Sequence, residues 1–175
     1  MLGRKFINLL FALSIGAVFT SVAHSAGVID AQQQRQIIPI EVRKDIRVVY
    51  QVNRDEWKNG VGKPLAYLKK LSGVYDESTI PRQERHINAV FHGKAGYWML
   101  TDEAYNAHTK TDKGNPNKAI IRELVAMGVS IELCGQTMKS QNWSPDDILA
   151  EVKIVIGAYP RIIDLQMQGY AYIKF

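Results

Sequence analysis

The sequence predicts one α/β domain in which helices cover both faces of a five-stranded, mostly parallel sheet. Short runs rich in β-branched residues alternate along the chain with segments in which apolar residues recur at helical spacing. This alternation favours parallel strands joined by helices, and right-handed crossovers place the carboxyl ends of those strands along one edge. About 150 residues follow an apolar N-terminal segment, which suits a single domain with a sizeable core.

The first half of the domain predicts two strands, each followed by a helix. The strands are rich in β-branched residues, and the helices carry an apolar face. In chain order these segments are a strand over 45–52, a helix over 61–71, a strand over 86–93 and a helix over about 97–106. The stretch 72–85 is predicted to be a polar connection.

The clearest helix–strand unit begins at Asn115. This residue is predicted to cap a helix whose first position is Pro116, where the missing N–H costs nothing. Gly128 supplies the positive φ that ends the helix. Residues 129–133 then form a short strand with Cys134, the single cysteine of the chain, at its carboxyl end. In open parallel sheets, ligands and reactive groups are found at that end.

Four further elements are predicted beyond the cysteine. They are a helical turn over 136–141, a helix start at Ser144, a helix over 160–168 and a final strand over 170–174. Two interpretations compete for residues 146–157. One is a single helix, and the other ends the helix near Ala150 and makes 152–156 a strand. The density of β-branched residues favours the strand.

Residues 1–26 have the pattern of a secretory signal peptide. The segment combines Arg4 and Lys5, an apolar run over 6–22 and small residues over 23–26. The alternative is an uncleaved membrane anchor, but small and polar residues dilute the run and favour cleavage. The sequence therefore predicts a periplasmic or secreted protein with no stable membrane insertion after the signal is removed.

Residues 27–44 lack a clean period and are polar at their centre. They predict an extended arm that lies over the domain or over a neighbouring subunit. The α/β domain itself is predicted to span 45–175.

Charge and motifs exclude several classes of function. The formal charge is +5, and it falls to +3 without residues 1–26, which hold two basic and no acidic residues. No dense Lys/Arg patch is interleaved with aromatic residues, so nucleic-acid binding is not predicted. The sequence contains no GxGxxG, GxxxxGK[ST], GxSxG, HExxH or paired CxxC motif. Asp146 and Asp147 are explained by a helix cap. Neither a cofactor nor a metal ion is predicted.

A single cysteine excludes an intramolecular disulfide framework. In an oxidising compartment Cys134 is therefore buried and inert, paired between chains, or chemically used. Backbone N–H groups of Gly135 or Gln136 at the start of a helical turn would favour the nucleophilic thiolate. Gly135 would also leave room for a bulky partner. Because free cysteines are among the most buried residue types, the reactive and the inert interpretations both stay open.

The carboxyl edge of the predicted sheet gathers further candidates for a binding site. If the first three strands are parallel, their ends bring Asn53, His92 and Cys134 to the same edge. His92 or Lys94 would add positive character near the sulfur. His92 is equally compatible with a hydrogen-bonded structural role, and the other histidines lack metal-ligand spacing.

Several short motifs match one known family. The most specific is Cys-Gly-Gln-Thr at 134–137, placed directly after a strand. The others are the first strand with Tyr50, His92-Gly93-Lys94-Ala95, Asn115-Pro116-Asn117, Gly128-Val129, and the ending from Leu165-Gln166 to Gly169-Tyr170-Ala171-Tyr172-Ile173. With these motifs, over roughly residues 45–174, the sequence resembles the DsrE/DsrF-like proteins, specifically their secreted, periplasmic branch.

The resemblance implies a Rossmann-like three-layer fold that assembles into homo-oligomers, commonly trimers or hexamers. In the sulfur-relay members of the family, a cysteine after a central strand carries a persulfide sulfur and passes it to a partner. Cys134 matches that position, and His92, Lys94 and Asn117 are then candidate pocket residues beside Gly135 and Gln136. The compartment differs, because well-understood relay members are cytoplasmic whereas this chain is predicted to be exported.

Two functions therefore compete at the level of sequence. The first is a cofactor-free sulfur relay, in which the Cys134 thiolate takes a sulfur atom from a sulfane-sulfur donor, holds it as a persulfide and releases it to an acceptor thiol, with a partner protein as a candidate donor or acceptor. The alternative is a non-enzymatic oligomeric binding module in which Cys134 is structural or redox-regulatory. The first requires a sulfur that is reachable from solvent, and the second is compatible with a sealed one.

Overall fold

The computed structural model describes residues 37–175. A compact unit spans Pro39–Phe175. The predicted signal peptide, 1–26, and the first part of the predicted arm, 27–36, lie outside the described residues.

The described end of the predicted arm, residues 39–44, contains no helix or strand. Arg43 in this segment donates hydrogen bonds to the carbonyl of Ser78 and, at 3.2 Å, to the hydroxyl of Thr79. The end of the arm is therefore held against the turn at residues 78 and 79.

Strands and helices alternate along the rest of the unit. In chain order they are β1 Ile46–Val52, β2 Trp57–Lys58, β3 Val61–Gly62, α1 Lys63–Glu77, β4 Arg85–Phe91, α2 Asp102–Thr109, α3 Lys118–Ala126, β5 Ser130–Cys134, α4 Gly135–Gln141, β6 Lys153–Val155, α5 Ala158–Met167 and β7 Ala171–Lys174. Three short 3₁₀ helices, Arg82–Glu84, Gly93–Met99 and Pro145–Asp147, lie in the connections.

Five strands form one parallel sheet in the order β6–β5–β4–β1–β7, and β2 and β3 form a separate antiparallel hairpin. The predicted fold class is confirmed: the structure is a Rossmann-like α/β sandwich, and every pairing within its five-stranded sheet is parallel. The hairpin was not predicted, because two-residue strands are too short to show a period.

The two faces of the sheet are covered unequally. The larger core lies between the sheet and α1 to α4. The smaller core lies between the sheet and α5, and consists of Val49, Val90, Cys134, Ala158, Ile162 and Leu165. Because side chains alternate along a strand, the face under α5 also holds four buried polar residues: Gln51, Asn88, His92 and Glu132. Polar chemistry is therefore concentrated on the face that carries the cysteine.

Two helix predictions in the first half were wrong in their bounds. The helix predicted over 61–71 begins only after the hairpin and runs on to Glu77, so it takes up part of the predicted polar connection. The helix predicted over 97–106 is divided into the 3₁₀ helix Gly93–Met99 and α2. The Asn115 side chain causes this break, because its amide donates to the carbonyls of Trp98 and Leu100.

Asn115 also closes the turn at the start of α3. The prediction placed the cap at Asn115 and the first helical residue at Pro116, but the helix begins at Lys118 with Asn117 at its N-cap position. Asn115 Oδ1 accepts from the N–H of Asn117 at 2.9 Å and so closes the turn that leads into the helix. The side-chain oxygen of Asn115 therefore keeps the predicted capping role, while its amide nitrogen donates to the distant carbonyls of Trp98 and Leu100.

Of the two interpretations of 146–157, the strand is confirmed as β6. The helix predicted to start at Ser144 is reduced to the 3₁₀ helix Pro145–Asp147, closed by a capping box between Ser144 and Asp147. The last helix begins at Ala158, two residues before the predicted Pro160. This earlier start brings the first amide of α5 to the end of β5.

Candidate functional site

The register of the parallel strands defines one carboxyl edge. Val52 of β1 pairs with Phe91 of β4, and Phe91 pairs with Leu133 of β5. The residues that follow these three positions lie next to one another. They are Asn53, His92 and Cys134, which the sequence had placed at a common edge.

A cleft of about 360 Å³ opens at this edge. Cys134 lines the cleft, although only 5% of its surface is exposed. The other lining residues come from three segments: His92 and Gly93 after β4, Gln136, Thr137 and Ser140 of α4, and Ile156 to Pro160 at the start of α5. The cleft therefore borders the residue that carries the sulfur.

The N-terminus of α5 lies against this sulfur. The N–H of Ala158 donates a hydrogen bond to Cys134 Sγ at 3.2 Å. Ala158 is the first residue of the helix, so its N–H has no acceptor within the helix and is available to the sulfur. The sequence suggested the amides of Gly135 or Gln136 for this role, whereas in the described part of the chain the hydrogen bond to Sγ comes from Ala158.

Gly135 makes room for the backbone of the protein itself. A Cβ at this position would lie 3.0 Å from the carbonyl oxygen of Val155 and 3.5 Å from that of Ile156. The space that was expected to admit a bulky partner therefore admits the end of β6. Glycine fits here because a Cβ would press on the backbone of β6, which would have to move by a few tenths of an ångström.

His92 is buried at the side of the cleft and is held by its neighbours. Gln51 Nε2 lies 2.8 Å from His92 Nε2, and the Tyr172 hydroxyl donates to Gln51 Oε1. The amide nitrogen of Gln51 is then the donor, which assigns Nε2 of His92 as the acceptor and places the ring proton on Nδ1. The ring edge packs on Tyr159, with centroids 5.5 Å apart.

The positive charge expected of His92 is not supported. Burial lowers the pKa of His92 below its usual 6.5, and the nearby Lys174 ammonium lowers it further. His92 is therefore a neutral imidazole at physiological pH.

Helix α4 supplies Gln136 and Thr137 to the cleft. Gln136 Nε2 donates to the carbonyl of Ile156 at 3.3 Å. Thr137 Oγ1 accepts from the N–H of Gly93 at 3.0 Å and thereby ties the turn after β4 to α4. The sequence analysis did not single out Thr137, although its place in the Cys-Gly-Gln-Thr motif was a signal.

Two predicted pocket residues lie outside the cleft. Lys94 is exposed and lines a neighbouring groove. Asn117 is completely buried, and its Oδ1 accepts from the N–H of Gly62 at 2.6 Å, so it holds the β2–β3 hairpin. Asn53 reaches the edge, and its Oδ1 is buried without a hydrogen-bond partner among the described residues.

A buried ion pair joins α5 to β5 below the cleft. Arg161 Nε and Nη2 donate to the two oxygens of Glu132 at 2.8 and 2.9 Å. Asn88 and Ser130 donate to the same carboxylate at 2.6 and 3.0 Å. Burial alone would raise the pKa of Glu132, but the donors, led by Arg161, outweigh burial and lower it. The pair holds the helix whose first amide meets the cysteine.

Sequence reasoning also missed Ala158 and Tyr159, which it left in the connection before Pro160. Gly157, with an extended backbone at φ −165° and ψ 149°, marks the true start of the helix. Within residues 37–175 no three His, Cys, Asp or Glu side chains are grouped to hold a metal ion. None of the helices described there combines the length and apolar character that crossing a bilayer requires.

Comparisons with known proteins agree with this architecture. The model of the DsrE/DsrF-like family matches residues 66–175, which include both the cysteine and the cleft. No curated protein matches the sequence.

Two solved structures share the fold. A protein of unknown function, MTH1491 from Methanobacterium thermoautotrophicum, is 20% identical, with a TM-score of 0.56 over 75% of this chain and 100% of that chain. The ychN protein from E. coli is 13% identical, with a TM-score of 0.54 over 74% of this chain and 99% of that chain. At these identities the likeness concerns the fold.

Proposed function

The chain belongs to the DsrE/DsrF-like family, and from this premise we propose that it is a periplasmic sulfur carrier of the secreted branch. In this proposal Cys134 holds a sulfane sulfur atom as a persulfide and needs no cofactor. One observation carries the proposal: Cys134 lines a cleft at the carboxyl edge of the sheet and receives a helix N-terminal N–H on its sulfur.

The chemistry is an exchange of sulfur between thiols. The Cys134 thiolate attacks the outer sulfur of a donor persulfide or polysulfide, and the donor's S–S bond breaks with its electron pair leaving on the donor sulfur. A second thiolate then attacks the outer sulfur on Cys134, and the electron pair returns to Sγ. No net oxidation or reduction occurs. The Ala158 N–H stabilises the anionic sulfur before and after each transfer.

The small exposed fraction of Cys134 restricts the shape of the sulfur donor. Because 5% of the residue is accessible, a transferable sulfur must be presented at the end of a slender group that enters the cleft. The neutral His92 at the side of the cleft neither repels nor attracts the anion as a full charge would.

Export and self-association belong to the same proposal. The signal-peptide pattern of residues 1–26 supports a periplasmic or secreted location. A stripe of exposed apolar side chains on α5, Tyr159, Ile163 and Met167, supports a homo-oligomer, either a trimer or a hexamer. These three residues recur at four-residue spacing, and Tyr159 also lines the cleft. A neighbouring subunit on this stripe would border the entrance to Cys134.

Mass spectrometry of the intact protein tests the carrier function. After incubation with polysulfide, the wild type should gain one sulfur atom that is lost on treatment with a reductant. Cys134→Ser should gain none, while its circular dichroism spectrum matches the wild type. A folded wild type that gains no sulfur from polysulfide or thiosulfate would exclude the proposal.

One observation favours the alternative of a binding module with a structural cysteine. Cys134 packs among Val49, Val90 and Leu165 in the smaller core, as an inert thiol does. Reaction with a small thiol reagent separates the two functions. A carrier should be modified in the folded state, whereas a structural cysteine should be modified only after unfolding. A redox-regulatory thiol would instead give a covalent dimer on non-reducing electrophoresis, absent in Cys134→Ser.

A further inference from the structure

A second groove adjoins the Cys134 cleft. It has a volume of about 470 Å³, and its walls include Asp55, Lys94, Tyr97, His108 and Trp143. Gly93 lines both the groove and the cleft, so the two spaces meet at this residue.

Gly93 places no side chain between the groove and the cleft. Its backbone has a φ of +56°, which disfavours a side chain. A Cβ built at this position comes within 4 Å of a single neighbouring atom among the described residues, the carbonyl oxygen of Asn53 at 3.7 Å. A ligand in the groove can therefore extend across Gly93 toward the sulfur without meeting a side chain at this position.

The groove presents two opposite charges that do not neutralise each other. Asp55 Oδ1 accepts from Trp57 Nε1 at 2.7 Å and from the Tyr97 hydroxyl at 2.8 Å, which orients the carboxylate with uncharged donors. Within residues 37–175 neither Asp55 nor Lys94 has an opposite charge at ion-pair distance. By contrast, Glu56 beside Asp55 is paired with Lys63 at 2.7 Å. The groove thus offers one negative and one positive group to a ligand.

Three neighbouring aromatic rings form an aromatic wall of the same groove. The rings of Tyr97 and His108 have centroids 5.1 Å apart, and those of His108 and Trp143 lie 5.4 Å apart. Burial, with the neighbouring Asp55 carboxylate, raises the pKa of Tyr97 to about 12, so its hydroxyl remains a donor to Asp55. Aromatic faces beside a carboxylate attract an ammonium group.

We propose that this groove binds the amino-acid portion of a small acceptor thiol. It thereby places the acceptor's thiol next to the persulfide on Cys134. The ammonium group lies on Asp55 and the aromatic wall, the carboxylate lies on Lys94, and the thiol crosses Gly93. The inference rests on the proposed carrier function and specifies the acceptor as a dipolar thiol, either free cysteine or a short peptide such as glutathione.

The transfer step is balanced without an external oxidant or reductant. The acceptor thiol loses its proton to solvent, and its sulfur attacks the outer sulfur of the Cys134 persulfide. A new S–S bond forms on the acceptor, the bond to Sγ breaks, and the electron pair stays on Sγ beside the Ala158 N–H. The products are the acceptor persulfide and the original Cys134 thiolate.

Transfer rates to charged and uncharged thiols test the assignment. Full-length protein carrying one sulfur is mixed with L-cysteine, glutathione, cysteamine, 3-mercaptopropionate or 2-mercaptoethanol, and loss of the sulfur is followed by mass spectrometry. Lys94→Ala should lower the preference for 3-mercaptopropionate over 2-mercaptoethanol about tenfold, and Asp55→Asn should do so for cysteamine. For the true dipolar acceptor, both variants should lower the preference over 2-mercaptoethanol. Whether this happens with L-cysteine or with glutathione identifies which of the two is the acceptor.

Lys70→Ala, an exposed lysine of α1, is the matched control and should leave every preference unchanged. Equal preferences in the wild type and both groove variants would overturn the inference. Failure of the wild type to pass its sulfur to any of these small thiols would also overturn it, and would indicate a protein acceptor. Binding of S-methyl-L-cysteine, followed by titration calorimetry, provides a readout without sulfur transfer. Binding that is lost in Lys94→Ala supports the groove as a ligand site even if Cys134 never takes up sulfur. If the wild type binds neither this probe nor S-methylglutathione, the assignment of the groove is wrong.

Discussion

Arg161 donates two hydrogen bonds to Glu132, at 2.8 and 2.9 Å, and thereby joins α5 to β5 two residues before Cys134. Glu132 is 1% exposed, so its charge depends on this guanidinium and on the amide of Asn88. The amide that reaches Cys134 belongs to the same helix as Arg161. The ion pair is therefore part of the geometry of the thiol site.

We expect Arg161→Met to lower the free energy of unfolding by about 3 kcal/mol, because it leaves a buried carboxylate without its cation. Urea unfolding measures the loss. Arg122→Met is the matched control, since its partner Glu151 is partly exposed, and it should cost less than about 1 kcal/mol. Equal losses in the two variants would show that the Glu132 pair has no special role.

The hydrogen bond to the cysteine predicts an order of stabilities. Cys134→Ala should be destabilised by about 1–3 kcal/mol, because the N–H of Ala158 loses its acceptor in a buried place. Cys134→Ser should cost less, because its hydroxyl oxygen remains an acceptor. Chemical unfolding of both variants provides the measurement. If Cys134 acts only as a small apolar residue, the order reverses and serine is the more damaging substitution.

The lowered pKa of His92 predicts that the free energy of unfolding falls as the pH is lowered from about 7.5 to 5.5. The unfolded chain takes up a proton near pH 6.5, whereas burial holds the folded pKa lower, so the unfolded state binds more protons in between. Its contribution is complete above pH 6.5 and is lost as the pH falls through the folded pKa. Carboxyl groups with lowered pKa, such as Glu132, act at more acidic pH.

Unfolding curves at several pH values measure this slope. His92→Gln should remove most of it. His86→Gln, in which an exposed histidine is replaced, should retain the slope of the wild type. A slope that persists in His92→Gln would assign it to another group.

Two glycines predict effects of opposite sign. Gly135→Ala should destabilise the protein by about 1–3 kcal/mol, because its Cβ would be forced against the backbone of β6. Gly73→Ala, in the interior of α1 with no atom near the new Cβ, should stabilise it by up to about 1 kcal/mol. Thermal unfolding of the two variants compares them directly. Stabilisation by Gly135→Ala would contradict the close contact between α4 and β6.

The apolar stripe on α5 predicts the oligomer contact. Met167 is 83% exposed and Ile163 is 60% exposed, and lysine at both positions should convert the expected trimer or hexamer into monomers. Sedimentation velocity measures the size. Val74→Lys, a change of an exposed apolar residue on α1, is the control and should leave the oligomer intact. A wild type that sediments as a monomer would exclude the assembly.

Local patterns were sufficient for the order and type of most elements. The β-branched runs around Val49, Val90 and Ile131 are strands, and their alternation with helices required a parallel sheet whose ends meet at one edge. Cys134 could be placed at that edge because strand direction follows from topology. Predictions failed where a residue serves distant neighbours, as Asn115 does when its amide ends the segment at Trp98 and Leu100.

The surroundings of the sulfur could not be derived from the chain alone, because they depend on contacts between segments far apart in sequence. Periodicity placed Cys134 at the end of a strand, but the donor to its sulfur comes from Ala158, which the packing of α5 brings there. The sequence offered His92 or Lys94 as a source of positive character near the sulfur, whereas burial lowers the pKa of His92 and keeps it neutral. Hydrogen bonding and desolvation are set by distances in space, whereas periodicity reports only which face a residue occupies.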